Sequence, residues 1–380
     1  MQEILENWRI SSLLNSMIGS PKKRGLSFML NEAWKRRLIH IAHSGSGKEF
    51  NLKTRMAFPK TVLGQKIHQR KTMSYTFPWL HKIKGRVLQD ELLASHTSIQ
   101  IGGPADVLIF PEDAQDIQAI IKNRGKIPIY ILGEGTNLLA SDRGIRGIVI
   151  SLKECFKEIK RPLFFKKEKE GGRRAIIKVG AGAKMSYLAK HAAKFSLTGI
   201  ENLVGIPGSL GGVIVMNAGA EGTEIGSVLR SVTRINRNGE IEKLKREDLS
   251  FEYRKTAFPD EAGILIEAEI ELKEGDRSEI MTAMDRHLSK RSQTQPLTIP
   301  NSGSIFKNPE GDAAGRIIDS LGLKGYSIGK AGISIRHANF IVNKGGATAK
   351  DVTELIKHVQ KEVKEKTNID LQTEIVIIGD

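Results

Sequence analysis

Pro128-Ile129-Tyr130-Ile131-Leu132 runs directly into Gly133-Glu134-Gly135-Thr136-Asn137. It reads as an apolar strand that delivers a glycine-rich loop. Glycines at a strand exit let backbone N–H groups approach a phosphate closely. The spacing is not G-x-G-x-x-G, so it gives no Rossmann fingerprint, and alone it is equally an ordinary turn. A second run, Ile206-Pro207-Gly208-Ser209-Leu210-Gly211-Gly212, is followed by Asn217-Ala218-Gly219-Ala220. Two such loops in one chain are harder to explain as turns. Together they suggest a cradle for a diphosphate, with backbone donors making most of the contacts.

Outward from these loops, strand and helix patterns alternate. Ala105–Phe110 is a short apolar strand, and Pro111-Glu112-Asp113 opens a helix with Ile117, Ile120 and Ile121 at helical spacing. Gly147–Leu152 and Ala175–Val179 read as strands, Met185–Phe195 as a helix, and 228–235, 240–244 and 263–273 as further strands. The polar helix Asp276–Ser292 ends where Gln295-Pro296 to Pro300 breaks the chain, which puts a domain boundary near 295. Beyond it, Ala313–Leu321 is a helix and Asn339–Asn343 a strand. Thr348-Ala349-Lys350-Asp351 matches a capping box. It opens a helix that buries Val352, Leu355, Ile356, Val359 and Val363. Leu371–Ile378 (LQTEIVII) is a closing strand. The alternation predicts an α+β or α/β chain.

Of 380 residues 39% are hydrophobic, which excludes wholesale disorder. One cysteine, Cys155, excludes an internal disulfide framework and fits a reducing compartment. The nine histidines form no H-E-x-x-H, so no metal site is expected. The longest uncharged run, Asn202–Ala220, is rich in glycine and makes turns rather than a membrane span.

The net charge of +16 is unevenly spread. Residues 1–72 hold 14 Lys/Arg and 4 Asp/Glu, so +10 sits there and +6 in residues 73–380. Ser44-Gly45-Ser46-Gly47-Lys48 fails the phosphate-loop spacing, since position 42 is alanine and Glu49 follows the lysine. No signal peptide is read in this segment. Three readings stay open: a misassigned start with Met73 as the true one, a disordered basic tail, or a transit-like or nucleic-acid-binding extension. The mild charge of the remainder suits anionic small molecules, and no aromatic stripe argues for nucleic acid there.

Three further features carry chemistry. Gly303-Ser304-Ile305-Phe306-Lys307-Asn308-Pro309 sets a hydroxyl, a cation and an amide between chain breakers. It is either a polar turn or a catalytic loop. Phe251-Glu252-Tyr253-Arg254 is short and ambiguous, with a surface arginine at a strand end as the plain alternative. In an extended 371–378 segment, Glu374 shares a face with Gln372, Val376 and Ile378. Apolar neighbours on such a face would desolvate its carboxyl and raise its pKa.

These segments occur in order with Ser98–Asp106 (SIQIGGPAD), Gly133–Leu139 (GEGTNLL), Gly205–Gly212 (GIPGSLGG), Asn217–Gly222, Phe251–Arg254, Gly303–Pro309 and Glu374. Residues 80–380 thereby resemble the UDP-N-acetylenolpyruvoylglucosamine reductase (UDP-N-acetylmuramate dehydrogenase) family of cell-wall precursor synthesis. The resemblance implies an α+β chain with an FAD-binding fold of the vanillyl-alcohol oxidase type in two subdomains, 73–150 and 151–294. A smaller α+β substrate-binding domain, 295–370, and a closing strand, 371–380, complete it.

The cofactor implied is FAD, the reductant NADPH and the substrate UDP-N-acetylglucosamine enolpyruvate, in the cytoplasm. Gly133, Glu134, Gly135, Thr136, Asn137, Ile206, Pro207, Gly208, Ser209, Gly211, Gly212, Asn217 and Gly219 match cofactor-binding positions. Ser304 matches the proton donor, and Arg254 and Glu374 match the other two catalytic residues. Tyr253, Lys307 and Asn308 match substrate-binding positions. The chain looks like the shorter family type, without the tyrosine-bearing loop, and Gly329-Lys330 departs from the usual Gly-Gly step. The implied chemistry is hydride transfer through the flavin to the enolpyruvyl methylene, charge taken up by Arg254 and protonated Glu374, and protonation of the adjacent carbon by Ser304.

Overall fold

The computed structural model describes residues 77–166, 172–259 and 263–379. The three readings of residues 1–72 fall outside the described residues.

Among the described residues three sheets have four strands or more. The first runs in the order Arg86–Leu92, Pro104–Phe110, Ile145–Ser151, Ile129–Leu132. Its outer pair is antiparallel, and the other pairings are parallel. Pro104–Phe110 and Ile145–Ser151 are almost wholly buried, as continuous apolar runs flanked on both sides in a parallel sheet should be. The helix Ala114–Asn123 makes the crossover to Ile129–Leu132. Asp113 caps it by accepting from the backbone N–H of Asp116, so Pro111-Glu112-Asp113 lies just outside the helix it introduces.

The second sheet is antiparallel, in the order Ile241–Lys245, Leu229–Asn236, Gly263–Glu274, Arg173–Gly180, Leu163–Lys166. The helices Met185–Lys194 and Arg277–Thr294 accompany it. A third antiparallel sheet, Asn301–Ser304, Phe340–Asn343, Ala331–Ile333, Ser327–Ile328, carries the helices Ala314–Ser320 and Ala349–Thr367. In the longer helix, Thr348 Oγ1 accepts from Asp351 N–H at 3.0 Å and Asp351 returns the bond to Thr348 N–H at 3.1 Å. All five apolar residues assigned to its inner face are buried.

The cores cross these divisions. Ile235, Ile264 and Ile266 of the second sheet join the core formed by one face of the first. Ile99, Ile101 and Leu139 of the first segment join the core of the third. Burial of this kind, at about 25 cal/mol per Å², makes the sheets one packed body rather than beads.

Two expectations need correction. The glycine-rich run at 206–212 is not turn throughout, because Leu210–Val215 is a short helix whose buried residues include Leu210, Gly211, Val213 and Ile214. Gly211 packs closely: a Cβ there would lie 3.2 Å from the Ala181 side chain, tighter than an ordinary contact. The closing strand covers only Val376–Ile378, not 371–378. It pairs in parallel with Leu138–Ala140, just after the first glycine loop. Residues 372–375 instead bond to the segment that follows the Ser304 strand: Lys307 N–H donates to Gln372 O, and the N–H groups of Glu374 and Ile375 both donate to Ile305 O. The chain changes partners at Glu374, so the period of two breaks there. Gln372 and Val376 are exposed while Glu374 is half-buried, and the three do not share an inward face.

Candidate active site

The two glycine loops meet. Thr136 Oγ1 donates to Pro207 O at 3.0 Å. Gly135 has φ +68°, and a Cβ there would fall 2.2 Å from the carbonyl oxygen of His96. The first loop is therefore tied to glycine by both backbone conformation and close approach. Ser98 fixes it from behind, its N–H donating to Gly135 O and its hydroxyl to Asn301 O. Glu134, a carboxylate in a would-be anion cradle, is answered by Lys184 at 3.5 Å.

The loops open into a cavity of about 1030 Å³. Gly133 to Asn137, Ile206 to Ser209, Gly211, Gly212 and Gly219 all line it. So do Arg254, Ser304 and Glu374, from three separate stretches of chain. Arg254 stands at the tip of a hairpin formed by Ser250–Glu252 and Lys255–Ala257. Its φ of +60° is the left-handed conformation that side-chain-bearing residues seldom adopt. The turn aims its Nε at Glu374 Oε1, 2.8 Å away, and its guanidinium lies 4.8 Å from the Tyr253 ring centroid. Ser304 ends the strand that neighbours the Glu374 segment. Its hydroxyl has no hydrogen-bond partner among the described residues.

Two influences oppose each other at Glu374. Burial pushes its carboxyl above the ordinary carboxylate value, while Arg254 and then Lys307 pull it down. Burial wins, and the shift is upward. Around Ser304 the backbone is held by Asn339, which donates to Phe306 O at 2.8 Å and accepts from Phe306 N–H at 2.9 Å. His337 also lines the cavity. Its Nδ1 accepts from Asn339 N–H, which leaves the ring proton on Nε2, and burial lowers its pKa.

Four of the expected residues lie outside the lining. Asn217 is fully buried, with φ +38°. It donates to Glu224 and to Glu252 O and accepts from Gly226 N–H, which fastens the loop to the Arg254 hairpin. Tyr253 is exposed beneath Arg254. Lys307 is half-buried and close enough to influence Glu374. Asn308 is exposed, and its side chain accepts from Ala314 N–H at the start of a helix.

The sequence reading passed over the wall built by the helix Arg277–Thr294 and the residue after it. His287, Lys290, Arg291, Thr294 and Gln295 line the cavity. A signal was there: Ile280, Met284, His287, Arg291 and Gln295 continue one helical face from apolar to polar. A buried stripe that turns polar along its length is a reason to look for a site at that end.

Residues 295–378 match the UDP-N-acetylenolpyruvoylglucosamine reductase C-terminal domain family, and residues 105–245 match the FAD binding domain family. The chain is 43% identical over 300 residues to UDP-N-acetylenolpyruvoylglucosamine reductase of Bacillus licheniformis, covering 78% of this chain and 95% of that protein. It is 42% identical over 299 residues to the protein of the same name from Bacillus subtilis, with the same coverage. The crystal structure of UDP-N-acetylenolpyruvylglucosamine reductase from Thermus caldophilus superposes with a TM-score of 0.64 at 35% identity, covering 78% of this chain and all of that one.

Proposed function

Because this chain belongs to the UDP-N-acetylenolpyruvoylglucosamine reductase family, we propose that its reaction takes place in the cavity between the paired glycine loops and the Ser304–Arg254–Glu374 cluster. The protein is an FAD-dependent oxidoreductase of peptidoglycan precursor synthesis, with the α+β FAD-binding fold expected of it. It reduces UDP-N-acetylglucosamine enolpyruvate to UDP-N-acetylmuramate, with NADPH as reductant. We place this work in the cytoplasm. Among the described residues no helix is long and apolar enough to cross a membrane.

The residues present fit FAD. The loops leave backbone at the cavity wall where a side chain would intrude: a Cβ on Gly133 would sit 2.7 Å from Ser209 Oγ. Gly133–Asn137 and, in the second loop, Gly208 and Ser209 would hold its diphosphate through N–H groups, Pro207 having none and the Ile206 N–H being taken by Leu203 O. FAD, when bound, supplies two-electron hydride chemistry, while the protein supplies position and field.

The chain's own residues account for the remainder. Hydride arriving at the vinyl methylene pushes negative charge onto the substrate carboxylate. Arg254 is suited to face that charge, and Glu374, its pKa raised by burial, to keep a proton and donate a hydrogen bond to it. The Ser304 hydroxyl gives its proton to the adjacent carbon, completing the addition of hydride and proton across the double bond. A serine is a feeble acid, but that carbon has become strongly basic. Lys307 and Asn308 follow the Ser304 strand, outside the cavity lining, and are proposed to contact the part of the substrate that reaches beyond it.

The observation that carries this reading is the 2.8 Å Arg254–Glu374 contact in the cavity that Ser304 and both glycine loops line. Ser304→Ala tests it. The variant is expected to keep FAD and to be bleached by NADPH at the normal rate. Reoxidation of its flavin by UDP-N-acetylglucosamine enolpyruvate should slow by about 10²–10⁴. Unchanged reoxidation would remove Ser304 from the role.

A further inference from the structure

Most cations that line the cavity are already answered. Arg254 meets Glu374 at 2.8 Å, Lys255 meets Glu252 at 3.4 Å and Lys290 meets Glu221 at 2.8 Å. His287 has the same Glu221 at 3.5 Å from its Nδ1. Arg291 differs. Among the described residues its side chain has no carboxylate within 4.0 Å and no hydrogen-bond partner. Its Nε is completely buried and unpartnered.

Arg291 is half-buried with its Nε wholly so, and taking a cation partly out of water without a partner is costly; that cost pushes its pKa down. Unpartnered buried polar atoms are rare enough to need a reason. His287 Nε2, Gln295 Oε1 and Ser302 Oγ are also buried without partners, and all four residues line this same cavity. The position of Arg291 narrows the choice. Its Cδ lies 3.3 Å from where a Cβ on Gly205 would stand, so it leans on the backbone that opens the second glycine loop. Gly205 there keeps the guanidinium and the loop in contact.

We propose that Arg291 is an anion-binding residue of the second glycine loop, and that it pairs with the diphosphate of a nucleotide seated there. The proposal rests on the function proposed above. Both FAD and the UDP-sugar carry this chemistry. The backbone donors of Gly208 and Ser209 have no formal charge of their own, and Arg291 supplies one beside them. Arg291 also sits at the end of the helix face that begins with Ile280 and Met284, so packing of the helix sets its reach.

The test compares wild type with Arg291→Gln and Arg291→Lys in the full chain. FAD is titrated into each apoprotein by fluorescence quenching, Michaelis constants for UDP-N-acetylglucosamine enolpyruvate are measured at saturating FAD, and apoprotein thermal unfolding is followed. The expected result for Gln is a Kd for FAD raised about 10–100-fold, the range for losing one charge-assisted hydrogen bond. Lys should restore part of the affinity. The Gln apoprotein should unfold at the same or a higher temperature, since a partly desolvated, unpartnered charge has gone.

A raised Michaelis constant for the UDP-sugar, with FAD affinity unchanged, would support the proposal and assign Arg291 to the substrate's diphosphate. Both constants within twofold of wild type would overturn it. A shifted flavin midpoint potential with both constants unchanged would also overturn it, since Arg291 would then face the ring system. Wild type that takes up no FAD would instead count against the function proposed above, so the two failures are separable.

Discussion

At the scale of single residues, Glu374 is where opposing forces can be weighed. It touches a guanidinium, which favours ionisation, yet it is buried enough that the net shift is upward. A carboxyl whose folded pKa exceeds its unfolded value binds protons more tightly when folded. Its contribution to stability is therefore full below the unfolded value and is lost as pH rises through the folded one. Its hydrogen-bond donation is lost over the same window. The rate of flavin reoxidation by substrate should accordingly fall as pH rises above the ordinary glutamate range. Glu374→Gln, which keeps a donor at every pH, should flatten that limb. A Gln variant with the wild-type pH profile would show that another group titrates. Arg254 contributes differently, because its left-handed backbone is part of its aim. Arg254→Lys keeps a charge but loses the planar donor set, and kcat should fall by about 10-fold or more with FAD affinity intact.

At the scale of elements, the hairpin Ser250–Ala257 is only three residues long on each side and would not hold its tip by pairing alone. Thr256 Oγ1 donates to Ile214 O from one strand, and the Asn217 side chain donates to Glu252 O from beneath the other. Asn217 therefore acts on Arg254 through the hairpin. Asn217→Ala strands several buried groups and should cost about 2–3 kcal/mol in urea-induced unfolding. It should also lower kcat more than it raises the Michaelis constant for the UDP-sugar. Stability loss with unchanged kcat would make Asn217 purely structural.

At the scale of the molecule, the third sheet is fastened to the first, from which it lies far in sequence. Asp142 accepts from the N–H groups of Ala349 and Lys350, capping the helix Ala349–Thr367 from a loop some 200 residues earlier. Asn343 donates to Ile99 O, Ser98 to Asn301 O, and Val376–Ile378 pairs with Leu138–Ala140. The strand bearing Ser304 is thus held in register with the first glycine loop. Asp142→Ala should cost about 0.5–2 kcal/mol, the usual effect of losing a helix cap, measured by thermal unfolding of the holoprotein. Its FAD affinity should stay within twofold, because Asp142 does not line the cavity.

The sequence by itself determined what is local. Most elements follow from apolar periodicity and caps, such as the Thr348–Asp351 box and the buried face of the helix it opens. The glycine loops and the order of the motifs were legible because only certain residues tolerate a left-handed φ or a close backbone approach, as at Gly135. Only the tertiary structure decided the rest. Glu374 is not desolvated by alternation in a strand; it is desolvated where the chain passes from the Ser304 strand to Leu138–Ala140. That choice of partners depends on residues more than 60 positions away. The burial of Arg291 without a counter-ion is decided the same way. One of several cations on a polar helix looks solvated in sequence, and only packing against Gly205 half-buries it.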